Sequence, residues 1–196
     1  LLYPVLQQLY NQSKGGIFMG YILAGFIFIF FDADTLSYNF LPDTIGYLLT
    51  AYGLSAIAHK SPHFIQARKV SVLLALVTFI LDMSLFLFYS QGLSMLVIGL
   101  FIFFRLYMFF CIIKGVAELE DTMGVYLNSQ KLMKWWKFSA VFQAIYFVSM
   151  LLTFALGFLI FFIPMLLAAA INFIFCIIFL ISFNKTRTLY NGSSYL

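Results

Sequence analysis

From Pro164 to Phe183 the chain runs through twenty residues without a charged side chain. A helix of that length spans about 30 Å, the thickness of the hydrocarbon core of a bilayer. Similar apolar runs recur near residues 15–31, 42–58, 70–89, 93–113 and 137–156. Only 9% of the 196 residues are charged and 64% are hydrophobic, whereas soluble domains carry about 25% charged residues. A soluble core could not hide that much apolar surface, so lipid must serve as part of the solvent. The expected fold is all-α: one polytopic transmembrane helical bundle over residues 1–196, crossing six times.

Local signals set several boundaries. Pro42 is a favoured first helical residue for the second span. Ser61 before Pro62 is a cap-and-first-turn signal that opens the third helix well before its span. Gln91-Gly92 makes the next turn, and the fourth helix is expected to continue beyond the membrane through Gly115 to Asp121. The join between the fifth and sixth spans, Gly157 to Pro164, has no polar side chain, so a single bent helix and a count of five are the competing reading. Charge decides between them. With six spans, Lys14, Lys60, Arg68, Lys69, Lys114, Lys131, Lys134, Lys137, Lys185 and Arg187 all fall on one side, and no basic residue falls on the other. The positive-inside rule makes that side cytoplasmic, with both termini in. Five spans would put Lys185 and Arg187 outside. The first apolar stretch lacks a basic leader and an A-x-A cleavage pattern, and reads as a retained helix.

The net charge of +4 could suggest nucleic acid, but the basic residues are scattered at the ends of apolar runs and not gathered on one polar face, which argues against a nucleic-acid face. Cys111 and Cys176 each lie inside an apolar run without a second ligand at metal spacing, so neither a disulfide framework nor a metal site is expected. His59 and His63 bracket Ser61-Pro62, where the proline interrupts any helix joining them. Trp135 and Trp136 with their flanking lysines read as interfacial anchors. Glu118, Glu120 and Asp121 form the end of a solvated helix or a docking surface.

Asp82 and Arg105 carry the most information, because an ionisable group at membrane depth is costly and is usually paired. Counting from the Gln91-Gly92 turn, Asp82 lies roughly 13 Å and Arg105 roughly 20 Å below the outer surface, on neighbouring antiparallel helices. An intramembrane ion pair is expected, serving either as a clamp between the third and fourth helices or as part of a functional site. Thr50 and Asn172 fall level with Asp82, roughly 12 Å deep, and complete a candidate outward-facing pocket unless each serves only an interhelical hydrogen bond. Asp32 and Asp34 in the first external loop supply oxygen ligands of the kind a divalent cation prefers, though no EF-hand spacing follows. Asp43 instead complements the positive end of the second helix. Gly16, Gly20 and Ala24 repeat every four residues, a small-residue stripe for helix association within the bundle or with a partner subunit.

The stretch LPDTIGYLLTAYGLSAIAHKSPHF, with the acidic loop before it, resembles one in small multispanning membrane proteins of Gram-positive bacteria that have no assigned activity. The likeness covers residues 32 to 70 and implies a bacterial plasma membrane; it brings no catalytic residue. The chain is also similar in size to the substrate-binding components of vitamin-uptake transporters. H-E-x-x-H, G-x-S-x-G and G-x-G-x-x-G are all absent, so no catalytic residue and no cofactor are expected. The first functional expectation is a non-enzymatic membrane subunit that binds a small ligand or ion from outside and acts in transport with a membrane protein partner. A structural accessory subunit is the alternative, with a homo-oligomer as the other form of association, and an intramembrane enzyme comes third.

Overall fold

The computed structural model describes residues 17–30, 42–84, 91–156 and 161–192, without the side chains of Pro42, 81–84, 91–97 and Leu156. Those residues form six helices: α1 (Ile17–Phe30), α2 (Pro42–Ile57), α3 (Pro62–Ser84), α4 (Gln91–Met123), α5 (Ser129–Leu156) and α6 (Phe162–Gly192). No strand occurs among them. The bundle is therefore all-α, and α3 to α6 are each long and apolar enough to cross a membrane. The shorter α1 and α2 have 14 and 16 residues, about 21 and 24 Å at 1.5 Å per residue.

Helix starts follow local chemistry. Pro42 opens α2 and Asp43 stands in its first turn, where a carboxylate complements the helix dipole. Ser61 holds extended backbone before α3, and its hydroxyl accepts the His63 N–H at 3.1 Å, an N-cap that satisfies one of the free donors of the first turn. Gly124 closes α4 at φ +63°, the left-handed conformation that glycine adopts without a Cβ penalty.

Consecutive helices from α2 to α6 pack side by side. The chain reverses between α5 and α6: Phe138 stacks on Phe175 at 5.4 Å, and Ser139 meets Asn172. α1 closes the arrangement. Its fully buried Phe26 lies 4.8 Å from Phe109 of α4 and 4.9 Å from Phe183 of α6, edge-on geometries that aromatic pairs favour. The opposite faces expose Ile80, Phe103, Ile163 and Ile181, each at 60% or more, surfaces suited to acyl chains rather than water.

On its second face α1 meets α2 through glycine. A Cβ on Gly25 would stand 2.3 Å from Thr50 Oγ1 and 2.5 Å from the Gly46 carbonyl oxygen. One on Gly53 would stand 2.6 Å from the Phe18 carbonyl. Only hydrogen at these positions lets the two backbones approach so closely.

The long helices overrun the expected spans at one common end. α3 begins eight residues early, α4 ends ten late, α5 begins eight early and α6 ends nine late. Hydropathy records where the chain leaves lipid, whereas backbone hydrogen bonding continues wherever side chains still pack. Here they do: Thr186 donates to the Leu127 carbonyl at 2.8 Å, Asn128 donates to the Ser182 carbonyl at 3.3 Å, and Lys60 donates to the Tyr190 hydroxyl.

Candidate functional site

One set of polar side chains within the bundle gathers between α5 and α6, beside α4. Ser139 and Gln143 lie one turn apart on α5, as Asn172 and Cys176 do on α6, so each helix presents a polar pair along one face. The Ser139 hydroxyl donates to Asn172 Oδ1 at 2.7 Å, and Ser139 and Cys176 line one cavity. Gln143 Nε2 donates to Ser139 Oγ at 3.4 Å. Arg105, on α4, precedes Leu106, which lines the same cavity together with Ser139, Gln143 and Cys176.

Two atoms of this node stand out. Arg105 Nε and Gln143 Oε1 are buried and make no hydrogen bond among the described residues, although Gln143 as a whole is only 5% exposed. Leaving a buried polar atom unpaired costs about 1–3 kcal/mol. Gln143 lines this cavity, of about 10 Å³, together with Ser139, Cys176, Trp136, Phe109 and Leu106, the residue next to Arg105. That is room for about one water molecule. Trp136 is turned inward to form one wall and donates from Nε1 to the Leu106 carbonyl at 3.1 Å, a bond that takes it beyond the interfacial role expected of it.

The other expected site residues lie apart or outside the described regions. Asp82 is in the last turn of α3, which packs on α4, and its side chain is outside the described residues. Arg105 forms no ion pair among those that are described. Thr50 is fully buried, but its hydroxyl donates to the Gly46 carbonyl at 2.8 Å and lies against Gly25. It thus belongs to the α1–α2 seam, while Asn172 belongs to the α5–α6 node. Asp32, Asp34 and Gly16 lie outside the described residues. Gly20 faces Arg187, whose guanidinium carbon would be 3.4 Å from a Cβ there, and Ala24 is half-buried.

Sequence reasoning passed over Ser139, Gln143 and Cys176 as node members. Their signal is the matched i, i+4 spacing on two consecutive spans. It also passed over a latch at the polar end, where Glu118 accepts from the Ser61 hydroxyl and lies 3.2 Å from His63 Nε2. Glu120 accepts the Ser129 N–H at 3.1 Å. Two of the three acids of the expected solvated helix end thus tie α4 to the start of α3 and of α5. Among the described residues no three His, Cys, Asp or Glu side chains gather as a metal site.

Comparison of the chain with protein-family models, curated proteins and solved structures finds no match.

Proposed function

We propose that the protein is a non-enzymatic integral membrane subunit that takes a small anion from the extracellular side at the Arg105 node and acts in transport with a partner complex. The observation that carries this reading is the buried Arg105 Nε, left without a partner among the described residues, on the residue next to Leu106, which lines a water-sized cavity. A guanidinium at membrane depth is expensive unless it meets an anion or a watery space. The cavity limits a ligand held in this conformation to about the size of one water molecule, which favours a monatomic anion. Asp82 is the counter-ion we assign to Arg105 when the ligand is absent.

Bromide tests the site directly, since Trp136 forms a wall of the cavity. Bromide should quench part of the tryptophan fluorescence saturably in the wild type. In a folded Arg105→Gln variant quenching should become linear in concentration; identical linear quenching in both proteins would remove the ligand site. Purification from native membranes should also bring down a stoichiometric energising subunit.

The finer topology belongs to the same proposal: six spans, both termini cytoplasmic, in a bacterial plasma membrane. It rests on the ten-to-none split of basic residues about the spans. Ile163 and Tyr126 are 63% and 58% exposed at opposite ends of the bundle, and the native cysteines are buried. A membrane-impermeant maleimide applied to whole cells should label an Ile163→Cys variant and spare Tyr126→Cys. The reverse pattern would invert the orientation.

A structural accessory role is the second reading. It is favoured by the interhelical bonds from Ser139 to Asn172 and between Thr44 and Thr78 at 3.0 Å, of which the first occupies polar groups of the node itself.

A further inference from the structure

One stripe of α2 faces away from the bundle: Ile45, Leu48, Tyr52 and Ser55, spaced i, i+3, i+7 and i+10, all exposed. α3 runs antiparallel beside it. Their register is fixed by the Thr44–Thr78 hydroxyl contact and by Ser71, which donates to the Tyr47 carbonyl at 2.7 Å. This register brings Val72 and, one turn nearer the Ser61 end, Arg68 to the far wall of a groove of about 520 Å³. The groove is apolar along its length and carries a single charge, Arg68. That guanidinium is exposed and has no ion pair among the described residues.

Length and charge together describe an occupant. The ten steps from Ile45 to Ser55 rise about 15 Å, half of a hydrocarbon core about 30 Å thick. The charged end lies toward Lys60, where the basic ends of the bundle gather. The molecule that fits has an apolar tail one leaflet long and an anionic head that accepts a forked guanidinium. We propose that the α2–α3 groove binds one anionic phospholipid of the leaflet facing the basic end, its acyl chain along Leu48 and Val72 and its phosphate on Arg68. Basic recesses between transmembrane helices on the cytoplasmic side take anionic headgroups for the same reason. The site requires α2 to lie in the bilayer and is independent of the Arg105 node.

The test uses the full chain in bicelles of phosphatidylcholine, alone or mixed with phosphatidylglycerol, read by thermal unfolding and by native mass spectrometry of retained lipid. Phosphatidylglycerol should raise the unfolding midpoint and remain bound as one molecule per chain. Arg68→Gln, which breaks no described contact, should lower the preference for phosphatidylglycerol about fivefold. Lys69→Gln, an equally exposed neighbour outside the groove, should leave it unchanged. Leu48→Trp should displace the lipid while keeping the charge. The proposal is overturned if Arg68→Gln retains the wild-type preference, or if Lys69→Gln weakens it as much, since the attraction would then belong to the basic surface as a whole.

Discussion

The α1–α2 seam and the α4–α6 node are both helix contacts inside the bundle, and they are built on opposite plans. At the seam, backbones meet. Gly25, Gly46 and Gly53 carry no side chain, and the one buried hydroxyl, that of Thr50, folds back onto a carbonyl of its own helix. At the node, side chains meet: Ser139 of α5 bonds Asn172 of α6 and accepts from Gln143 one turn along its own helix, beside the stacked rings of Phe138 and Phe175. Lipid is as apolar as leucine, so neither contact gains from hiding hydrocarbon; close dispersion contact drives the first and interhelical hydrogen bonding the second. The difference lies in what remains. The seam leaves no space and no unused donor or acceptor at its glycines. The node leaves a water-sized cavity, a carbonyl oxygen and a guanidinium nitrogen, and chemistry can only use what packing has not consumed.

The largest effect should come from crowding the seam. In Gly25→Ala the new methyl would meet Thr50 Oγ1 and the Gly46 carbonyl at distances that real Cβ atoms do not show. Both sit on helix backbone or next to it, so α1 and α2 must separate. We expect a loss of about 3 kcal/mol, at the upper end for overpacking, measured by thermal or denaturant unfolding in detergent. Gly20→Ala meets only the tip of Arg187 at ordinary contact distance and should change stability by less than about 0.5 kcal/mol. Equal losses from the two variants would show that the seam is no tighter than the rest of α1.

The same contrast explains which parts of the molecule were legible in its sequence. The helices were, because each announces itself through an apolar run and a start signal: Pro42 opens α2 and Ser61-Pro62 caps α3 as their chemistry requires. The overrun of α5 and α6 at the polar end was not, because it depends on Leu127 and Asn128 finding partners in Ser182 and Thr186 far along the chain. Azimuth was not legible. Counting 1.5 Å per residue predicts that Thr50 and Asn172 share one level, but 100° of turn per residue decides which neighbour each meets. One faces Gly25 and the other Ser139. The small-residue stripe shows the same limit. Gly20 and Ala24 share one face of α1, but the close approach to α2 is made by Gly25. Gly46 and Gly53, two turns apart on the partner helix, select it, and no pattern within α1 alone contains that information.

Gln143 offers the finer test of the comparison, because here the expected sign reverses. Its Oε1 is buried without a described partner, and its Nε2 makes one long bond to Ser139. A side chain kept only for packing would be better as leucine, which has similar reach and no acceptor to desolvate. Gln143→Leu should therefore leave stability unchanged or raise it by about 1 kcal/mol, while abolishing saturable bromide quenching of Trp136. A gain in stability with a loss of binding is the signature of a polar group retained for function at a cost to the fold. If the leucine variant instead loses more than about 1 kcal/mol, Oε1 is held by a structural water in the cavity. The node would then resemble the seam after all, as a contact whose polar groups are consumed in holding helices together.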